Sequence, residues 1–268
     1  MKIGVLGKIS KVKSQQAIDE FVEFLRSLGY ETKMFSTPQE IDGVDVVIVL
    51  GGDGAILHSA VPAARNNVKI IGINYGNLGF LTEYEKDERE RITELLSQVE
   101  KGTCRILKRS VLEVEIGGKR YYALNEIALQ RDSGVSALKS TQILRVQVQS
   151  KEGLDVISGD GLLLCTPTGS TAYSLSAGGA ILTPEAPVVM LTPVCAFSMR
   201  TRPIVFSDSE EFAFRIVKGK AIVSADGLIL GRLPENAAVF VRKAPFTADF
   251  PVRSNSDFFA KVRNKLNE

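Results

Sequence analysis

In Asp45-Val-Val-Ile-Val-Leu-Gly-Gly-Asp-Gly-Ala-Ile-Leu57 an unbroken apolar run, Val46 to Leu50, ends in a loop of three glycines around a single carboxylate. Val46 to Leu50 has the length and β-branching of a strand buried on both faces, and the apolar residues after Gly54 open a helix. Gly51, Gly52 and Gly54 let a ligand approach main-chain N–H groups without interference from a Cβ, and a helix N-terminus just beyond adds positive partial charge. A phosphate suits such a turn. Asp53 does not, because a carboxylate beside phosphates is repelled unless it holds a metal, accepts a proton or binds a hydroxyl. Each of those roles is chemical. Against them stands a plain strand-to-helix turn, for which Gly and Asp are equally suited, and four residues alone do not decide between the two.

Working outward, Ile3 to Leu6 reads as a short strand. Ser14 to Leu28 reads as a helix with Ile18, Phe21, Val22, Leu25 and Leu28 on one face, closed by Gly29. Tyr30 to Phe35 and Val68 to Asn74 are further strands, and a helical segment covers Ile56 to Arg65. Strands alternating with helices imply a parallel sheet covered on both faces, with ligands beyond the carboxyl ends of the strands, where Gly51 to Gly54 falls. Asn74-Tyr-Gly-Asn-Leu-Gly-Phe-Leu81 is a second Gly-rich loop at another strand end. The charged stretch Glu85 to Lys101 carries Ile92, Leu95, Leu96 and Val99 at helical spacing, and Gly102 ends both helix and domain.

From Arg105 the hydrophobic period changes from 3.6 to 2. Leu112 to Ile116, Gly117-Gly118 and Lys119 to Ala123 read as a hairpin. Ile127 to Leu129, Leu144 to Val148, Val156-Ile157, Leu162 to Cys165, Val188 to Leu191, Ile204 to Phe206, Phe212 to Val217, Ala221 to Ser224 and Val239 to Val241 continue as short strands. The predicted fold class is therefore an α/β N-terminal domain, residues 1–102, with a parallel sheet and Gly-rich strand-end loops, followed by a mainly β C-terminal domain, residues 103–253. Ser256 is positioned to cap a last helix within 254–268, whose Phe258, Phe259, Val262 and Leu266 need an apolar surface on the first domain.

A chain of 268 residues has room for two cores, and 44% hydrophobic with 24% charged residues is ordinary for a globular protein. With 33 Lys+Arg against 31 Asp+Glu the net charge is +2, which supports neither nucleic acid nor a membrane surface as partner. The N-terminal apolar run is too short for a signal sequence, and no run approaches a membrane span, so a cytoplasmic location is expected. Cys104, Cys165 and Cys195 are odd in number and lack Cys-x-x-Cys spacing, which argues against a disulfide framework or a cysteine-bound zinc. His58 is the only histidine and makes no His-rich metal site by itself.

Within the β domain, Ser158-Gly-Asp-Gly-Leu-Leu-Leu-Cys-Thr-Pro-Thr-Gly-Ser-Thr-Ala-Tyr-Ser-Leu-Ser-Ala-Gly-Gly-Ala180 concentrates hydroxyl side chains between glycines. Such groups hydrogen-bond sugar hydroxyls, amides and phosphates at neutral charge. The competing reading is a Ser/Thr-rich loop that satisfies its own backbone. Asn125-Glu126 places an amide and a carboxylate at a strand edge, and Asp226-Gly227 reads as a hairpin turn.

Taken together, these segments resemble the NAD kinase family. Gly51-Gly52-Asp53-Gly54, Asn77-Leu-Gly-Phe-Leu81, Asn125-Glu126, Gly159-Asp160-Gly161-Leu162 and the Thr166 to Gly179 block occur in that family's order and approximate spacing, with Arg202-Pro203 further on. The Thr166 to Gly179 block is the most specific part, whereas loops like Gly-Gly-Asp-Gly also occur in 6-phosphofructokinases and diacylglycerol-type lipid kinases. The resemblance implies transfer of the terminal phosphoryl of ATP, or of polyphosphate, to the adenosine ribose 2′-hydroxyl of NAD, with a divalent cation such as Mg²⁺ whose ligands it does not identify. It makes residues 1–102 the phosphate-donor domain and 103–253 the dinucleotide-binding domain. Asp53 is similar to the family's base near the 2′-hydroxyl, and Gly51, Gly52 and Gly54 to its triphosphate loop. Asn125 and Glu126 resemble its nicotinamide-ribose contacts, Phe80 its adenine neighbour, and His58 a pocket-lining position. Ser158, Asp160, Thr171, Ala172, Tyr173, Ser174, Leu175 and Ser176 resemble the dinucleotide shell, which the family completes from a neighbouring subunit in a homodimer or homotetramer.

The sequence departs from the family at three places. Ala55 stands where Thr is usual, Ala196-Phe197 where a Pro-His pair is common, and Leu228 where a polar residue often follows Asp-Gly. Two other functions fit parts of the sequence. A related kinase acting on a sugar or lipid hydroxyl accounts for Gly51 to Gly54 but not for the Thr166 to Gly179 block, and a non-catalytic NAD(P)-sensing module leaves the intact Asp53 without a task.

Overall fold

The structure is a computed structural model that describes residues 1–7, 14–76, 79–132, 134, 143–254 and 256–266. Asn77 and Leu78 of the second Gly-rich motif, and the side chain of Leu266, lie outside the described residues. The chain divides into two compact units, Met1–Arg109 with Phe246–Glu268, and Ser110–Pro245.

The first unit is built on parallel strands β1 (Lys2–Gly7), β2 (Glu31–Phe35), β3 (Val46–Leu50), β4 (Lys69–Asn74) and β5 (Tyr84–Glu85) in the order β2-β1-β3-β4-β5. β3 is central and every one of its side chains is buried, as its uninterrupted Val/Ile/Leu composition requires of a strand covered on both faces. Helices α1 (Gln15–Ser27), α2 (Asp53–Arg65) and α3 (Arg89–Glu100) supply the covers. Ser14 caps α1 by accepting the Ala17 N–H at 3.3 Å, and Gly29 ends it in the left-handed region at φ +87°. Ile18, Phe21 and Leu25 of α1 and Ile92, Leu95 and Leu96 of α3 pack with Ile3, Val5, Ile48 and Leu50 in one core.

The second unit is antiparallel. Strands β6 (Arg105–Ile116), β7 (Lys119–Ala123), β9 (Leu144–Ser150), β10 (Gly153–Gly159), β14 (Phe212–Lys218) and β17 (Ala238–Val252) form one sheet in the order β10-β9-β14-β17-β6-β7. Strands β8 (Glu126–Arg131), β11 (Gly161–Cys165), β12 (Val188–Val194), β13 (Ile204–Ser207), β15 (Ala221–Ala225) and β16 (Leu228–Leu233) form a second, in the order β13-β12-β11-β8-β15-β16. Val114, Val146, Phe212, Phe214 and Val241 of the first sheet share a core with Leu129, Leu162, Leu164 and Val223 of the second.

The α/β-then-β fold class stands as the sequence predicts, with local corrections: β5 is not expected, β6 and β10 run longer than expected, α3 begins at Arg89, and three others have clear causes. β16 escapes a periodicity reading because it is an edge strand whose Leu228 and Ile229 face outward. β17 runs for 15 residues where only Val239 to Val241 are expected, since Lys243, Pro245 and Thr247 break its apolar alternation. The last helix, α5 (Phe258–Leu266), which follows the short α4 (Tyr173–Ser176), is capped by Asp257, whose Oδ1 accepts the Ala260 N–H at 3.1 Å. Ser256 instead donates its hydroxyl to Glu83 Oε2 at 3.2 Å, and Phe259 is 65% exposed rather than packed. Among the described residues no helix is long and apolar enough to cross a membrane.

Candidate active site

Asp53 is the first residue of α2, with Gly52 as N-cap. Its two oxygens are engaged separately: Oδ2 accepts the Phe80 N–H at 2.7 Å and Oδ1 the Leu81 N–H at 2.9 Å. These partners come from the second Gly-rich loop because β3 and β4 are neighbours in a parallel sheet, so the segments following their carboxyl ends lie side by side. Gly79 allows the approach, since a Cβ there would stand 2.0 Å from Asp53 Oδ1. The Gly79 N–H in turn donates to Thr82 Oγ1 at 3.3 Å. Each carboxylate oxygen retains a second acceptor site, so Asp53 is fixed in direction yet able to receive a hydroxyl. Gly54 and His58 are exposed on the same helix, and Phe80 is half-buried.

In the second unit, Asn125 and Glu126 stand at the start of β8. The Asn125 carbonyl accepts the Thr166 N–H at 2.9 Å, and Gly169 packs so closely on it that a Cβ would fall 2.1 Å from the Asn125 oxygen. Glu126 is buried, and among the described residues its Oε2 has no hydrogen-bond partner. Burial, and then the nearby Asp226 carboxylate, push its carboxyl up to about 7. Asp226 does occupy the expected two-residue turn with Gly227, at φ +48° and +80°. It also does what the sequence reading missed: Oδ2 accepts the Leu124 N–H at 2.7 Å, and Oδ1 accepts those of Asn125 at 2.8 Å and Glu126 at 3.1 Å. No local pattern reveals this, because the partners lie about a hundred residues away along the chain.

The hydroxyl-rich run forms a 3₁₀ turn (Gly169–Thr171) and a short helix, α4 (Tyr173–Ser176). Several of its hydroxyls serve the protein itself. Thr166 Oγ1 donates to the Leu124 carbonyl at 2.6 Å, Ser170 Oγ to that of Pro167 at 2.6 Å and Thr171 Oγ1 to that of Thr168 at 3.2 Å. Ser174 is fully buried and shares a 2.7 Å hydrogen bond with Thr192. Thr171, Ala172, Tyr173 and Leu175 are half-buried and Ser176 is exposed, with the Tyr173 hydroxyl accepting from Gln130 Nε2 at 3.0 Å. The run therefore combines an internally bonded frame with a partly accessible rim.

Ser158 lies near the end of β10, and Asp160 is the single residue between β10 and β11. The Ser158 carbonyl accepts the Phe197 N–H at 2.8 Å, and Asp160 pairs with Arg131 at 3.1 Å. Phe197 and Leu228, two of the departures, are both exposed, while Ala55 lies in the first turn of α2.

Solved structures share this architecture. Yeast NADH kinase in complex with NADH superposes with a TM-score of 0.84 at 23% identity, covering 100% of this chain and 87% of that one, a likeness of fold. An NAD kinase from Archaeoglobus fulgidus in complex with ATP gives a TM-score of 0.80 at 28% identity over 98% of this chain and 99% of its own. In sequence, the ATP-NAD kinase N-terminal domain matches residues 5–104 and the ATP-NAD kinase C-terminal domain residues 124–251. The NAD kinase of Fusobacterium nucleatum is 32% identical over 99% of this chain and 97% of its own length, and that of Methanothermobacter thermautotrophicus 30% identical over 100% and 97%. The chain belongs to the NAD kinase family.

Proposed function

We propose that the protein transfers the terminal phosphoryl of ATP to the adenosine ribose 2′-hydroxyl of NAD, giving NADP, with Asp53 as the group that receives the acceptor hydroxyl. Family membership makes the chain a phosphotransferase with an alcohol acceptor. The observation that supports the role of Asp53 is its fixed direction: two backbone donors hold one acceptor site on each oxygen and leave the other. Phosphoryl transfer asks little covalent chemistry of a protein and much positioning, so a carboxylate held on both oxygens suits a group that orients a hydroxyl and takes its proton. Gly51, Gly52 and Gly54 at the α2 N-terminus are the proposed seat of the donor phosphates.

Asn125, Glu126, Ser158, Asp160 and the Thr171–Ser176 segment are the proposed NAD contacts of the second unit, and Phe80 and His58 those of the first. Glu126 supports this reading, because a buried carboxyl oxygen without a partner has an acceptor site open to a sugar hydroxyl. Among the described residues no group of three or more His, Cys, Asp or Glu is placed to hold a metal. The proposed Mg²⁺ is taken to come with the donor phosphates, as that ion commonly does, and no step is assigned to it. Polyphosphate is a second donor by the same chemistry.

Residues 1–102 are the proposed donor domain and residues 103–253 the proposed dinucleotide domain. A cytoplasmic homodimer or homotetramer joined through the β unit is the proposed working form. Edge strands β10 and β13 carry the exposed Leu154, Val156, Ile204 and Val205, with Phe197 and Met199 exposed in the segment that precedes β13, which supports that assembly. The deciding experiment incubates the protein with NAD, ATP and Mg²⁺ and measures NADP, beside parallel reactions on sugar and lipid alcohols. Absence of NADP with phosphorylation of another alcohol overturns the proposal. Sedimentation showing an active monomer overturns the assembly alone.

A further inference from the structure

We propose that Asp226 is a positioning residue for the dinucleotide: from the β15–β16 turn its carboxylate fixes the three consecutive peptides that aim Asn125 and Glu126, and its charge faces the Glu126 side chain. The inference rests on reading Asn125 and Glu126 as ligand contacts. Strand pairing brings the turn there, because β15 lies antiparallel to β8 with Ala225 opposite Ile127, so the chain leaves β15 beside Glu126. The Asp226 N–H completes the junction by donating to the Glu126 carbonyl at 3.1 Å.

A two-residue turn of this hand needs only residues tolerant of positive φ, for which Asn or Gly serves as well as Asp. Only a carboxylate offers acceptor sites enough to take the N–H groups of Leu124, Asn125 and Glu126 together. The Asn125 peptide is thus gripped from both ends, by Asp226 at its N–H and by the Thr166 N–H at its carbonyl, with Gly169 leaving no space for it to turn. Such a grip exceeds what a turn requires and is what an aimed pair of side chains requires.

Among the described residues, two titratable groups face Glu126. Asp226 comes from the turn, and Cys165 sits opposite Glu126 in the β8–β11 ladder, its thiol pushed up to about 11 by burial and so uncharged near neutrality. Asp226 is then the charge that, with burial, keeps Glu126 protonated up to about 7. Sugar hydroxyls donate better to a carboxylate than to a neutral acid, so NAD binding tightens as pH rises through that value.

The test measures the NAD dissociation constant by titration calorimetry across the neutral range for the full-length parent, Asp226→Asn and Glu126→Gln, with the Michaelis constant for ATP alongside. The expected result for Asp226→Asn is NAD binding weakened roughly tenfold above neutrality, a midpoint of the pH dependence moved to lower pH, and an ATP constant within about twofold of the parent, a change too small to mark lost positioning. A purely structural turn residue leaves the midpoint where it is. Parent-like NAD affinity and midpoint in Asp226→Asn, with or without a lower melting temperature, overturn the proposal. If Asp226→Asn does not fold, Asp226→Gly keeps the turn, removes the carboxylate and is read identically. If Glu126→Gln leaves NAD affinity unchanged at every pH, the reading of the site fails and takes the inference with it. If Glu126→Gln weakens binding and Asp226→Asn does not, the inference alone fails.

Discussion

A Cβ at residue 79 would lie 2.0 Å from Asp53 Oδ1 and 2.7 Å from its Cγ, so the observed position of the Asp53 carboxylate requires glycine at 79. Gly79→Ala is therefore expected to displace Asp53 from the Phe80 and Leu81 N–H groups. Overpacking of this kind costs about 1–3 kcal/mol, and misplacing a reacting group by about 1 Å costs up to about 10²-fold in rate. Gly76→Ala is the control, because nothing lies within 4 Å of a Cβ there. Steady-state kcat for both variants decides the matter, and equal rates would disprove the coupling.

Asp53→Asn keeps the size and turn preference of Asp53 but turns an amide NH₂ toward either Phe80 or Leu81. One backbone donor is left facing a donor, at a cost of about 1–3 kcal/mol. Loss of the proposed general base is expected to add a fall in kcat of about 10²–10⁴-fold at saturating NAD and ATP. Both effects are expected in one preparation, a lower denaturation midpoint and a lower kcat. A lower midpoint with kcat within about threefold of the parent, far short of the general-base range, would leave Asp53 a structural link between α2 and the second loop.

Local pattern accounts for what the sequence makes legible. Val46–Leu50 announces a strand buried on both faces, Ser14 and Gly29 bracket α1, and the change to period 2 after Arg105 marks the antiparallel unit. What stays hidden is how far apart in the chain the partners of each candidate carboxylate lie. Asp53 finds its donors 27 and 28 residues onward, where the pairing of β3 with β4 brings them. Asp226 finds its own about a hundred residues back, so its sequence shows only the turn. The hydroxyl run misleads in another way, because burial divides it: Ser174 turns inward to Thr192 while Ser176 faces out, a split that composition does not encode.

Glu126 makes stability depend on pH in a defined direction. Its folded carboxyl is raised to about 7 from an ordinary value of 4.5, so the folded state holds the proton more tightly than the unfolded chain. Its contribution is complete below about 4.5, declines as pH rises through the interval and is gone above about 7, a span worth about 3 kcal/mol. Glu126→Gln is expected to flatten that part of the curve relative to the parent in urea titrations at pH 5 and pH 8. An unchanged difference between the two pH values would show that Glu126 is ionised throughout.

Glu83 fastens α5 to the segment that follows the Asp53 donors. Its buried carboxylate accepts from Lys261 Nζ at 2.7 Å, from the Ser256 hydroxyl at 3.2 Å and from Arg253 at its backbone N–H, 3.2 Å, and its Nε, 3.3 Å. Lys261 also donates to the Thr82 carbonyl at 3.0 Å. Glu83→Gln leaves two cations facing a neutral amide, among the described residues Arg253 with only its 3.6 Å pairing to Glu88 as an ionic partner and Lys261 with only the Thr82 carbonyl. Breaking a fully buried pair costs about 3–5 kcal/mol, but Arg253 and Lys261 are partly exposed and regain water, so about 1–3 kcal/mol is expected here. Lys261→Met leaves Glu83 still served by Arg253 and Ser256, and keeps the aliphatic stem packed, so its cost is expected to be about 1 kcal/mol or less. The order of the two is the discriminating quantity, because the carboxylate is the shared partner and the ammonium only one of several donors. Urea denaturation of both variants measures it, and a Lys261→Met protein less stable than Glu83→Gln would mean that α5 is held chiefly through the Thr82 carbonyl.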